Sequence, residues 1–126
     1  MYLYQRGIRL HYESGCLSHV YLSLEEPHPT ATTLTLRGFG KSDQPPRGSS
    51  INTFAADVAH AIPQIAEPPV TLLVPNRNVE NIARMVQSKH PNLVQDVVNE
   101  HPGAVFLDVR SPAARVLTAA LAKKTR

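Results

Sequence analysis

Hydrophobic and polar residues alternate one by one through the first third of the chain, and then the spacing lengthens to three and four. Ile8, Leu10 and Tyr12 alternate with Arg9, His11 and Glu13, so Tyr2 to Glu13 reads as one or two strands with Gly7 as a turn between them. Gly15 breaks the pattern, and Val20, Leu22 and Leu24 restore it, which predicts a strand over His19 to Glu25. Pro27 and Pro29 bracket a loop, Thr32 to Leu36 forms the next strand, and Pro45 to Ser50 is loop. From there Phe54, Val58, Ile62 and Ile65 share one helical face, with Asn52 or Thr53 placed to cap it and Pro63 expected to distort or end it.

The second half alternates between the two kinds of element. Val70-Thr71-Leu72-Leu73-Val74 is almost wholly apolar, as a strand buried on both faces of a parallel sheet must be. Asn78 is expected to open a second helix with Val79, Ile82, Met85 and Val86 inward, ended by Pro91. Leu93 to Asn99 reads as a short third helix, and Ala104 to Val109 as another buried strand. Pro112 suits the first turn of a last helix carrying Val116, Leu117, Ala120 and Leu121. The order predicts a single α/β domain over residues 1–126: a mixed, mostly parallel sheet covered by helices, with its N-terminal strands antiparallel.

Composition narrows the classes. The net charge of +3 is small and its residues are scattered, apart from Lys123, Lys124 and Arg126, so a nucleic-acid partner is not expected. No apolar run is long enough to span a bilayer, so no membrane role is expected. The first residues do not read as a signal peptide. Cys16 has no partner for an internal disulfide, which fits a reducing, cytoplasmic setting.

The most specific phrase is Arg37-Gly38-Phe39-Gly40-Lys41-Ser42-Asp43-Gln44-Pro45-Pro46. Two glycines one residue apart at a strand end announce a sharp turn, because glycine enters positive φ without strain, and the paired prolines hold the exit extended. This phrase resembles the turn after the fourth strand of α/β-hydrolases, notably epoxide hydrolases and dehalogenases. The likeness continues without a large gap. Ser50 to Val58 is similar to the start of their next helix, and Pro69 to Val74 to the strand that delivers their nucleophile. The flanks fall in the same order: Gly7 to Tyr12 resembles their opening hairpin, His90 to Val94 the end of the helix behind the nucleophile, and Pro102 to Phe106 their last strand.

What that resemblance implies about chemistry is not matched by the residues. Gly-x-Ser-x-Gly at the nucleophile turn is replaced by Val74-Pro75-Asn76-Arg77-Asn78, which puts an amide where a nucleophile belongs. Leu24-Glu25-Glu26-Pro27 stands where the oxyanion His-Gly is expected, and Arg110-Ser111-Pro112 follows the last expected strand where the base should be. The resemblance therefore implies a hydrolase-like scaffold of about half the usual length, without cofactor or metal, that binds a small apolar ligand or a protein rather than catalysing. Loss of covering elements predicts self-association or a protein partner. A weaker resemblance, to ribonuclease H folds, rests on the element order and on Val79-Glu80-Asn81-Ile82. It implies a nucleic-acid- or protein-binding domain, because Asn76 or Pro75 and Ala119 stand near positions where carboxylates would gather metal ions.

The ligand-binding candidates are Asn76, Arg77, Asn78, Asp108 and Arg110, gathered at the carboxyl edge of the sheet where open α/β sheets bind ligands. The plainer alternative is helix capping by Asn78. Leu107 to Ser111 also resembles a rhodanese phrase, but no cysteine follows it. Two further sets offer an enzyme of different design: His11 and Glu13, two apart on a strand with His19 near, as metal ligands, and Cys16 as a nucleophile if a base approaches it.

Overall fold

A computed structural model describes residues 1–45, 49–107 and 110–124, with side chains through Ala119. Pro46, Asp108 and Val109, and the side chains of Ala120 and Leu121, lie outside the described residues.

The opening alternation folds into two strands, β1 (Tyr2–Gln5) and β2 (Ile8–Glu13), paired antiparallel. Arg6 and Gly7 between them have φ of 51° and 80°. Positive φ at both central residues is the two-residue turn whose twist matches a hairpin. β3 (Cys16–Ser23) starts three residues earlier than its hydrophobic pattern suggests, and β4 (Ala31–Thr35) follows after a short loop. Then come α1 (Ile51–Ile65), β5 (Val70–Val74), α2 (Arg77–Lys89), β6 (Val94–Asn99) and α3 (Pro112–Lys124).

The six strands lie in the order β1-β2-β4-β3-β5-β6. β1, β2 and β4 are linked antiparallel, while β4, β3, β5 and β6 run parallel. A ribonuclease-H-like sheet would need its first three strands in an antiparallel meander. β3 instead lies in parallel between β4 and β5, so that alternative fails on strand order.

Four local expectations are corrected. Leu93 to Asn99 is not a helix: it forms β6, whose Val94, Val97 and Val98 are β-branched and whose neighbour β5 offers an open edge. Ala104 to Leu107 is not a strand, because the segment turns away over α2 and leaves Val105 42% and Leu107 68% exposed. α1 runs through Pro63 to Ile65, since Pro63 sits on the solvent side near the helix end and Ala66 N–H still reaches Ile62 O at 2.9 Å. Ser50 caps α1 and Asn76 caps α2, each earlier than the expected capping residues.

α1 packs on α2 and α2 on α3, making one helical layer against one face of the sheet. Phe54, Val58 and Ile62 meet Leu10, Val20, Leu22, Leu34, Val70 and Leu72 in that core. Each large side chain fully buried there contributes about 1.5–3 kcal/mol of transfer free energy. The opposite face carries Tyr21, Leu73 and Val98 in one cross-strand row. Among the described residues it is roofed in part by the loop 24–30 and by no helix.

Candidate functional site

The carboxyl ends of β4 and β5, on either side of β3, open into two strand-to-helix turns. After β4, Gly38 and Gly40 have φ of 83° and 48°, as the sequence requires of that phrase. The turn is tied to β2: Asp43 Oδ2 accepts Arg9 N–H at 2.9 Å, Ser42 Oγ accepts His11 N–H at 2.9 Å, and the Ser42 hydroxyl donates to Thr35 O at 2.7 Å. Arg37 turns inward, and its guanidinium donates twice to the buried carboxylate of Asp57 on α1. Arg6, at the tip of the first hairpin, donates to the same carboxylate at 2.9 Å. Asp57 was missed by the sequence reasoning, although an acid between Phe54 and Val58 on an inward helical face signals a buried pair.

The turn after β5 is built differently. Asn76 is extended, with φ −164° and ψ 175°, and its side-chain oxygen accepts Val79 N–H at 2.9 Å. This is helix capping, by Asn76 rather than by Asn78. Asn78 is fully buried and faces the C-terminal segment. Its Oδ1 accepts Phe106 N–H at 2.6 Å, and its amide nitrogen donates to Phe106 O and Leu117 O, both at 3.0 Å. The Phe106 ring meets Phe39 edge-on at 5.6 Å between centroids, and a Cβ on Gly38 would stand 2.2 Å from the Ala113 Cβ. The segment after β6 and the start of α3 thus fill the corner between the two turns. Arg77 is exposed, Arg110 is exposed at the approach to α3, and Asp108 is outside the described residues.

Three smaller clusters lie elsewhere. His28 Nδ1 accepts the N–H groups of Thr30 and Ala31 at 3.2 and 3.0 Å, so Nε2 carries the hydrogen that it donates to Glu100 at 3.1 Å. Tyr21 lies beside this pair; its hydroxyl pKa is raised by burial first and then by the Glu100 charge. With Pro27, Pro29 and His101 these residues line an open hollow of about 430 Å³. His11 packs edge-on against Tyr2 at 5.2 Å, and its pKa is lowered by burial, then by the N-terminal amine and Lys41, with Glu13 opposing. Among the described residues no three His, Cys, Asp or Glu side chains gather closely enough to hold a metal ion.

Cys16 is exposed, with its Sγ 3.2 Å from Ser18 Oγ and 3.7 Å from His19 Nδ1. Ser18 Oγ and His19 Nδ1 are 2.9 Å apart. Hydrogen bonds from the Ser18 hydroxyl and amide, then from His19, lower the thiol pKa to about 7. The sequence names Cys16 but not these neighbours, because a bulged strand start is not readable from alternation.

No protein-family model and no curated protein matches this sequence. Solved structures do. Est816, described as an N-acyl homoserine lactone degrading enzyme, superposes with a TM-score of 0.68 at 20% identity, over 79% of this chain and 44% of that one. The fold is that of the α/β-hydrolases. An epoxide hydrolase from Bacillus megaterium gives a TM-score of 0.63 at 20% identity, over 79% of this chain and 41% of that one. An esterase from Exiguobacterium antarcticum gives 0.59 at 23% identity, over 82% and 45%. The chain spans less than half the length of each of these α/β-hydrolases. β5 lies between parallel neighbours, as expected of the strand similar to their nucleophile strand. No helix among the described residues is long and apolar enough to cross a membrane.

Proposed function

We propose that the chain is an α/β-hydrolase-like domain that acts by binding and not by catalysis. The observation that carries this reading is the turn after β5. An activated nucleophile there requires a strained, exposed hydroxyl or thiol. Asn76 instead has relaxed, extended backbone, and its side chain is committed to capping α2. Phe106 and Ala113 occupy the space beside it, against Phe39 and Gly38. Ligand binding is assigned to this carboxyl-edge corner around Asn76, Arg77, Asn78 and Arg110; Asp108, the fifth expected ligand-binding residue, lies outside the described residues. The sheet face carrying Tyr21, Leu73 and Val98 is offered to a protein partner or a second copy, and the exposed thiol suits the reducing cytoplasm. The expected result with activated esters and epoxides is a rate equal to buffer. Turnover that disappears on replacing one residue overturns the reading.

A second reading is favoured by the Cys16, Ser18 and His19 arrangement. A thiol with a pKa near 7 beside an imidazole is competent for acyl transfer. It predicts ester turnover lost in Cys16→Ala, and unchanged zero turnover removes it.

A further inference from the structure

We propose that the open hollow between the loop 24–30 and the end of β6, lined by Tyr21, His28 and Glu100, is a second binding site, for a small ligand bearing an ammonium or guanidinium group. It shares no residue with the carboxyl-edge corner to which binding is assigned above, and it stands or falls separately from that reading.

At about 430 Å³ the hollow is of the size that small ligands fill. Its charge follows from a tautomer. His28 Nδ1 accepts the N–H groups of Thr30 and Ala31, so the ring is uncharged and serves Glu100 as a neutral donor. That bond orients the carboxylate without cancelling its charge. It uses Oε2, and Oε1 accepts no hydrogen bond among the described residues. Glu26 also lines the hollow, and no described lysine or arginine does. Tyr21 feels the same field: its hydroxyl pKa is raised by burial first and by the Glu100 charge second, so the phenol stays neutral. Its ring lies 5.2 Å from the His28 ring and supplies a π face, while Pro27 and Pro29 supply apolar walls. A carboxylate beside an aromatic face attracts an organic cation and repels an anion. The walls are set before any ligand arrives. His28 N–H donates to Thr33 Oγ1 at 2.8 Å, the Ser23 hydroxyl to Glu26 O at 2.6 Å, and Glu100 N–H to Val74 O at 3.0 Å. Little ordering therefore opposes binding. A bond that only clamped the loop to the sheet would be served as well by an uncharged acceptor, and that difference can be measured.

The test titrates butylammonium and butylguanidinium into the full chain and follows backbone amide shifts by NMR. Saturable shifts at Tyr21, His28 and Glu100 are expected, with a Kd of about 1 mM for probes so small. Butanol, the neutral counterpart, and butyrate, the anion, should bind at least about tenfold more weakly. These arms leave the protein unaltered. Glu100→Gln keeps an amide oxygen to accept the His28 Nε2 hydrogen, so the loop stays in place, yet it should weaken both cations at least about tenfold. Tyr21→Leu should weaken them about threefold or more, whereas Tyr21→Phe, which keeps the ring, should not. No saturation by about 20 mM overturns the proposal. So does butanol binding as well as butylammonium, an unchanged affinity in a cooperatively melting Glu100→Gln chain, or shifts that gather elsewhere in the molecule. If Glu100→Gln does not fold, the butanol and butyrate arms decide. Failure here leaves the non-catalytic reading of the β5 turn intact, and ester turnover overturns that reading without deciding the cation result.

Discussion

The turns after β4 and β5 leave the same edge of the same sheet and each leads to a helix, yet they are held by different means. The β4 turn is fixed by backbone: two glycines at positive φ, with Ser42 and Asp43 bonded to the main chain of β2 and β4. The β5 turn is fixed by two asparagine side chains, one on its own helix and one on residues 28 and 39 positions away. A turn of the first kind preserves a fold whatever its chemistry. A turn of the second kind depends on its side chains, here a cap on α2 and bonds to the C-terminal segment.

Removing the anchor beneath the β4 turn should have the largest effect. Asp57→Ala leaves Arg37 buried without its carboxylate, and breaking a buried pair costs about 3–5 kcal/mol. Chemical denaturation should show the loss at unchanged slope. Gly38→Ala combines backbone strain with the Ala113 clash and should cost about 2–4 kcal/mol. Adding Ala113→Gly should return the steric part only, which separates space from backbone strain. At the β5 turn the expected effects are smaller. Asn76→Ala should cost about 1 kcal/mol as a lost cap, while Asn76→Ser should keep the cap and still hydrolyse no activated ester. Ester turnover by Asn76→Ser would show that the relaxed backbone is not what silences the turn.

Two pH measurements address groups outside both turns. Alkylation of Cys16 by iodoacetamide should rise with pH around a midpoint near 7, and Ser18→Ala should move that midpoint upward. His11 gives the smallest effect. Its folded pKa lies below the ordinary 6.5, so the unfolded state takes up its proton first as pH falls. Its contribution is fully present above pH 6.5 and is lost as pH falls through the lowered folded value. His11→Gln should flatten that slope.

The contrast between the turns also explains what was legible in the sequence. Alternation gave β1, β2 and β4, a nearly all-apolar run gave β5, and helical spacing gave α1 and α2, because each of these patterns is a local property. The glycine phrase was legible because positive φ is a demand on one residue. β6 was misread because a short valine-rich run satisfies both periods, and only the open edge of β5 decides between them. Ala104 to Leu107 was misread because an apolar run does not say whether a neighbouring strand exists. The bonds of Asn78 were not legible, since its partners, Phe106 and Leu117, are distant in sequence. The resemblance to α/β-hydrolases identified the fold, whereas the use of the corner depends on contacts that no motif records.

The loop between β3 and β4 has a consequence for how the molecule assembles. Parallel neighbours normally need a connection of a dozen or more residues, usually a helix. Here seven residues suffice, pinned by His28 and packed so closely that a side chain at Gly15 would strike the carbonyls of Thr30 and Ala31. Bringing the two central strands together therefore closes an unusually small ring of chain, at low entropic cost. After the β1–β2 hairpin, the middle of the sheet is its most local pairing, and the remaining strands can be added to a seam that is already zipped.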